Sequence, residues 1–301
     1  MKLSKYYIAA LSAFLIWGFF SLALKPLHHY PSLDILFYRI FFCAVIMVVI
    51  NIFFRYSVLK ENMTVFKAME PKQRRRIVYL TLGGGLLLTA NWFVFIYVLN
   101  HISIKAASFA YLVCPILTTV LAYLILKEKL SKWQWVAVAL SGFSCILLSF
   151  NSLRDIVYSL IIAGSYALYL VSQRKNTGID KFLILSVQLI FAALVLLPFY
   201  PAFSGNLPTE PMFYWLILII AIAFTIIPLY LNLYALQGVT SSMMGILLYI
   251  NPLINFVLAI FYFNEPVNSF QMMGYAIIFL SILIFNEQYV FGFRRKAGLQ
   301  M

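Results

Sequence analysis

Ten mainly apolar stretches follow one another along this chain, at approximately 6–24, 33–54, 77–98, 104–126, 133–150, 155–173, 182–200, 213–236, 240–263 and 268–286. A helix that crosses a bilayer needs about 20 such residues, whereas a barrel strand needs only about 10. Inside the bilayer no water is available to bond an open backbone N–H or C=O, so each stretch must satisfy its own hydrogen bonds by becoming helical. The expected fold is therefore an all-α polytopic membrane protein with ten transmembrane helices. Composition agrees: 64% of the residues are hydrophobic and 10% charged, against roughly 25% charged in a soluble domain. Almost nothing is left over for an appended soluble domain.

The net charge of +13 would suit nucleic acid if it formed one patch, but its placement gives a different reading. With the N-terminus in the cytoplasm, all but four of the 22 basic residues fall on inside segments; the exceptions are Lys25, Lys105, Arg154 and Arg39. This is the positive-inside asymmetry, which assigns both termini to the cytoplasm and requires an even number of spans. The charge reports topology, and no nucleic-acid partner is expected. Lys2 and Lys5 before an apolar run resemble the start of a signal peptide, yet the run of about 19 residues exceeds the 7–15 of a signal h-region, so a retained span is expected. Cys43, Cys114 and Cys145 lie within spans without metal-ligand or disulfide spacing.

The second half of the chain repeats the first at an offset of 137 residues. Tyr97 aligns with Tyr234, Leu99 with Leu236, Pro115 with Pro252, Val120-Leu121-Ala122 with Val257-Leu258-Ala259, Glu128 with Glu265 and Ser144 with Ser281. Two domains are expected, 1–150 and 151–301, each with five spans. Because five is odd, the second repeat enters the membrane from the opposite side. Lys127-Glu128-Lys129 then falls inside, and its counterpart Asn264-Glu265-Pro266 falls outside without basic residues. Inverted repeats about a midplane site are the hallmark of secondary transporters. The junction Asn151 to Asp155 is too short to separate the halves, so one bundle follows.

Helix breakers point to a cavity within that bundle. Pro115 and Pro252 sit mid-span at equivalent positions and are the expected hinges; each frees the carbonyl four residues earlier, Tyr111 and Leu248. Lipid cannot satisfy such a group, so it must face protein or a wet cavity. Pro228 interrupts span eight, and Gly83-Gly84-Gly85 is expected to open span three. The long basic segment Arg55 to Arg76 reads as a cytoplasmic joint, and Pro201 to Met212 as a compact external turn.

Arg39 is the one basic residue set well inside a span, about 9 Å deep at 1.5 Å per residue. An intramembrane guanidinium costs at least a few kcal/mol unless paired or hydrated, which makes it a functional candidate; Asp34, five residues earlier, is its nearest possible local partner. Asn91 and Trp92 of span three, Tyr111 of span four, Tyr249 and Asn251 of span nine, Trp17 of span one and Tyr166 of span six supply amides, hydroxyls and aromatic faces. Such groups orient a small, partly apolar solute, although each amide could equally tie helices together. His28, His29 and His101 lie near the surface without companion ligands, and no metal is expected. Neither an ATP-binding nor a dinucleotide-binding loop is present, so no cofactor is expected.

Ile16-Trp17-Gly18, Tyr38-Arg39, Asn91-Trp92 with Asn100, Ala107-Ser108-Phe109-Ala110-Tyr111 leading to Pro115 and Glu128, Gln134-Trp135-Val136-Ala137-Val138, Pro228-Leu229, Gly245, Tyr249-Ile250, Pro252 and Glu265-Pro266 together resemble the drug/metabolite transporter superfamily and, within it, the EamA-type RarD family. The resemblance runs over about the whole chain. It implies a bacterial inner-membrane permease for small organic metabolites or drugs, a proton or another ion as a coupling partner to be tested, and a monomer or homodimer in the lipid bilayer. Ala110 and Cys114 stand where the family pattern often has glycine and asparagine, making this wall more apolar. The rival classes are an intramembrane lipid-modifying enzyme, which would need buried acids or histidines, and a lipid scramblase or channel, which would need a continuous groove or pore.

Overall fold

The protein is described by a computed structural model covering residues 4–101, 104–148, 153–205, 207–262 and 269–287. Glu265-Pro266, Asn151 and the tail bearing Arg294, Arg295 and Lys296 lie outside the described residues, as do the side chains of 99–108 and 153–155. Every regular element among the described residues is helical. Among the described residues, eight helical segments are long and apolar enough to cross a membrane: Lys5–Leu27, Ser32–Phe54, Pro71–Val98, Phe109–Leu126, Ile156–Arg174, Lys181–Phe203, Pro211–Ala235 and Ser241–Leu258. Two shorter helices, Lys132–Leu147 and Ser269–Phe285, occupy the places of spans five and ten.

Local chemistry starts these helices where the sequence changes character. Ser4 accepts from the Tyr6 N–H, Ser131 and Gln134 form a reciprocal capping box, Asp180 accepts from the Phe182 and Leu183 N–H groups, and Thr240 accepts from Met243. Pro71 and Pro211 open their helices, where a missing N–H costs nothing. The Gly83–Gly85 triplet does not open span three as expected; it lies inside the uninterrupted helix Pro71–His101. Glycine lacks helix propensity, but here the surrounding helices fix the backbone, and its small size serves packing.

Departures from regular helix fall in spans one, two, eight and nine, and at the 3-10 turn Leu197–Phe199 of span seven. Span one breaks at Phe19, between Lys5–Gly18 and Phe20–Leu24. Spans two and eight contain π turns at Ile50–Phe54 and Ile222–Ile226, and span nine divides into Ser241–Leu247 and Ile250–Phe261. The segment after span two, read from sequence as a plain joint, holds the amphipathic helix Tyr56–Ala68 with no buried residue. Asn62 of that helix accepts from the Asp180 N–H at 2.9 Å, and Arg55 pairs with Asp180 at 3.0 Å, fastening it to the start of span seven.

Packing merges both halves into one body. A single apolar cluster joins Phe14, Leu36, Phe37, Met47, Leu88, Cys114, Tyr169, Leu185, Leu233 and Tyr249, while a smaller one gathers Leu27, Ile35, Phe213, Ile217 and Ile220. Helices five and ten meet through small polar residues: Ser141 donates to Ser281 at 2.9 Å, and Ser144 donates to the Gly274 carbonyl at 2.8 Å. Small residues are what lets helices approach when lipid supplies no hydrophobic contrast between them. Their opposite faces leave Phe143, Ile146, Phe279 and Leu280 exposed, as a lipid-facing surface requires.

Candidate functional site

Span two carries Arg39 into the bundle. The residue is 9% exposed, its Nε has no hydrogen-bond partner, and no other polar bond or ion pair reaches it among the described residues. Two aromatic faces flank it instead: the guanidinium carbon lies 5.3 Å from the Trp92 ring centre and 5.7 Å from that of Phe20. The Tyr111 and Cys43 side chains complete its electrostatic surroundings. Asp34 does not serve as the partner. Five residues away it faces another side of the helix, and both its oxygens accept from the Gly205 N–H, at 3.0 and 3.1 Å. A buried guanidinium without a counter-charge is unfavourable by several kcal/mol after relaxation, and two cation–π contacts of ~0.5–2 kcal/mol each recover only part of that.

Two aromatic pairs lie in the surroundings of Arg39. Tyr111 meets Phe95 edge-on at 5.3 Å, and Trp17 meets Tyr166 edge-on at 6.4 Å. The Tyr166 hydroxyl accepts from the Asn232 amide at 3.1 Å, while the Asn232 carbonyl oxygen is buried without a partner. Trp17 has a second task that follows from the covalent chemistry of span eight. Pro228 lacks the N–H that would bond the carbonyl four residues earlier, Phe224, and the Trp17 indole N–H donates to that carbonyl at 2.9 Å. A proline in one helix is thus satisfied by an aromatic donor from another, next to the π turn.

The remaining predicted residues divide between these surroundings and the scaffold. Asn91 is buried and donates to the Ile162 carbonyl at 2.8 Å and the Ser165 hydroxyl at 3.2 Å, tying span three to span six. Tyr249 is fully buried, and its hydroxyl donates to the Leu112 carbonyl at 3.0 Å. Asn251 is half-buried with an unpartnered carbonyl oxygen. Pro115 lies within a continuous helix, Ile104–Leu126, whereas the helix of Pro252 is already broken at Leu248 and Tyr249; there the Asn251 N–H donates to the freed Leu248 carbonyl at 3.1 Å. Spans four and nine cross at Gly245, where an added Cβ would stand 2.9 Å from Thr118 Cβ and 3.1 Å from the Pro115 carbonyl oxygen. So Arg39, Trp92, Tyr111, Trp17 and Tyr166 share one neighbourhood, and Asn91 and Tyr249 brace it.

A second polar cluster was not anticipated. Gln188 of span seven donates to the Gln173 carbonyl oxygen at 2.9 Å, Gln173 donates to the Leu80 carbonyl at 2.8 Å, and Asn176 donates to Gln173 at 3.1 Å and to Thr81 at 3.1 Å. Lys181 donates to the Asn176 carbonyl. All three amides are fully buried. Gly84 explains their closeness: a Cβ there would stand 2.3 Å from Gln173 Nε2 and 2.6 Å from Gln188 Nε2. The sequence signal was present in two isolated glutamines within apolar runs facing a glycine triplet. Glu128, read as a turn organiser, accepts from the Ser241 and Ser242 N–H groups and from the Ser242 hydroxyl, so it caps the start of span nine across the halves. A separate groove of about 310 Å³ lies between spans one and eight, lined by Lys5, Ser12, Tyr230 and Tyr234, and does not include Arg39.

An all-helical bundle with this many long apolar helices and with apolar side chains exposed on its flanks is a multi-pass membrane protein. The chain belongs to the EamA-like transporter family, whose model matches residues 4–150 and again 154–286. It is 31% identical to an uncharacterized transporter, YojE, of Bacillus subtilis, over 91% of each chain. It is 28% identical to Protein RarD of Escherichia coli over 96% of each chain, and 26% identical to an uncharacterized transporter of Pseudomonas aeruginosa over 95% of this chain and 94% of the other. These likenesses group it with the RarD-like members of the drug/metabolite transporter superfamily. One solved crystal structure shares the fold, with a TM-score of 0.71 at 16% identity over 93% of this chain and 95% of that one.

Proposed function

We propose that the chain is a secondary carrier of the bacterial inner membrane, with both tails cytoplasmic, which moves small organic solutes by alternating access. Residues 1–150 and 151–301 form two inverted five-span repeats. Trp17, Arg39, Trp92, Tyr111 and Tyr166 line the solute path, Asn91, Tyr249 and Asn251 position it, and the spans flex about Pro115 and Pro252.

The observation that carries this reading is that equivalent residues of the two halves touch. Ser32–Phe54 and Lys181–Phe203 are both 23 residues long and begin 149 residues apart. The offset falls to 137 in the later spans because only the first half contains the insertion that forms Tyr56–Ala68. In the earlier register Trp17 is the counterpart of Tyr166, and the two rings meet; in the later one Leu112 is the counterpart of Tyr249, and they share a hydrogen bond. Contacts between counterparts are what a pseudo-two-fold axis between the halves would produce, and Arg39 neighbours Tyr111, the residue before Leu112. The same register matches Arg39 with Gln188, so the polar centres at the two levels of the bundle are equivalents, as a path that opens first to one side and then to the other requires.

Reconstitution into proteoliposomes tests the reading. Saturable, gradient-driven uptake or exchange supports a carrier; unsaturable high flux supports a channel, lipid flip-flop a scramblase, and product formation an enzyme. Cysteine tagging of both tails in intact cells tests the topology, and tails on opposite sides would refute the inverted repeat.

A further inference from the structure

We infer that the solute held at Arg39 is an organic anion of net charge −1 that carries a neutral hydrogen-bond donor, and is neither a zwitterion nor a cation. The inference rests on the carrier reading and specifies its substrate class. The sign follows from the uncompensated charge of Arg39. Arg39 is buried, its Nε is unbonded, and its neighbours are aromatic rings. An oxyanion such as a carboxylate gives the guanidinium both a counter-charge and acceptors in the fork geometry it favours.

The limit of one charge follows from where the acids are. The nine acidic residues are Asp34, Glu61, Glu70, Glu128, Asp155, Asp180, Glu210, Glu265 and Glu287, and in the sequence none falls in the middle of an apolar stretch; Asp34 and Asp180 stand at helix starts, and Glu61 lies in the helix Tyr56–Ala68, which has no buried residue. Asp34 is engaged by the Gly205 N–H, and the ion pair found among the described residues, Arg55 with Asp180, lies at the far end of span two. An ammonium on the solute would therefore meet no carboxylate, and a neutral amide does not compensate a buried charge. A neutral donor has a place to go. Asn232 is fully buried, its amide nitrogen is occupied by the Tyr166 hydroxyl, and its carbonyl oxygen is free. Tyr166 packs on Trp17 and lies within electrostatic range of Tyr111, itself in range of Arg39. Aromatic rings flank both groups, Phe20 and Trp92 at the cation and Tyr166 with Trp17 at the acceptor, which suits a flat apolar body.

The test uses isosteric probes that differ in one group: mandelate (anion with hydroxyl), phenylacetate (anion without it), mandelamide (neutral) and phenylglycine (zwitterion). The smaller set of lactate, lactamide and alanine covers compact solutes. Binding to the full chain in nanodiscs is read by tryptophan fluorescence and thermal shift. Within at least one set the hydroxy acid is expected to bind best, with the amide and the zwitterion at least ~30-fold weaker. Arg39→Gln should weaken the anion at least ~30-fold, and Arg39→Lys should lose less, since it keeps the charge without the fork. Equal binding of amide or zwitterion, anion binding unaffected by Arg39→Gln, or no anion binding at millimolar concentration overturns the inference. The carrier reading is judged separately by flux: saturable transport of a neutral solute would sink the anion assignment alone, and anion binding without flux of any solute would sink the carrier.

Discussion

Replacing Arg39 by methionine separates a residue kept for a ligand from one kept for the fold. The guanidinium is largely buried, its Nε has no partner, and what it gains is two ring faces at 5.3 and 5.7 Å. An ion buried in this way is unfavourable by several kcal/mol, and the two cation–π contacts return about 1–4 kcal/mol together. Methionine has a similar length, needs no counter-charge and makes its own favourable contacts with aromatic rings. The expected outcome is a ligand-free protein that is unchanged or more stable by ~1–3 kcal/mol, seen as a melting point held or raised by several degrees in nanodiscs. Transport should be lost. Thermal unfolding followed by tryptophan fluorescence, with flux measured on the same preparation, gives both numbers. A methionine variant that melts well below the parent would show that Arg39 has structural partners, and the reasoning from an unpaired charge would fail.

Three further substitutions probe the supports of the site. Gly84→Ala places a Cβ within 2.3 Å of Gln173 Nε2 and 2.6 Å of Gln188 Nε2; it should break the buried amide cluster and destabilise the protein by ~1–3 kcal/mol, measured as a lower melting point with faster hydrogen exchange in span seven, and an unchanged melting point would count against the cluster. Trp17→Phe keeps an aromatic ring but removes the donor to the Phe224 carbonyl; a loss of ~1–3 kcal/mol is expected, and full stability would mean that water or another donor serves that carbonyl. Gly245→Val drives a branched side chain into Thr118 and the Pro115 carbonyl, so it should separate spans four and nine and abolish solute flux, whereas wild-type flux would refute the close crossing.

The span plan could be read from the chain because the bilayer imposes it: without water, an apolar run of this length has one backbone solution. Arg39 and its neighbours were equally accessible, since a charge in an apolar run is conspicuous wherever the fold puts it. What could not be read was which amides face the centre and which serve as braces. Asn91 and Tyr249 look like ligand groups in sequence, yet the first holds span six and the second bonds the Leu112 carbonyl of span four. That distinction depends on helix rotation, which the nearly uniform hydrophobicity of these spans does not encode. Gln173 and Gln188 escaped notice because their meaning comes from Gly84, about a hundred residues away in the chain and in direct contact in space. The helix Tyr56–Ala68 was hidden for a related reason: its length and charge resemble a loop until Asn62 and Arg55 are seen to fasten it to Asp180.

The bond from the Trp17 indole to the Phe224 carbonyl joins a side chain to a main chain, and so it presents genetics with a one-sided target. Another apolar residue at position 224 still offers the same oxygen, whereas only a side chain with a well-aimed N–H or O–H donor can answer from position 17. Loss-of-function screens should therefore collect lesions at Trp17 and remain silent at Phe224, and a second-site change that restores a backbone N–H at Pro228 should relieve the dependence on tryptophan.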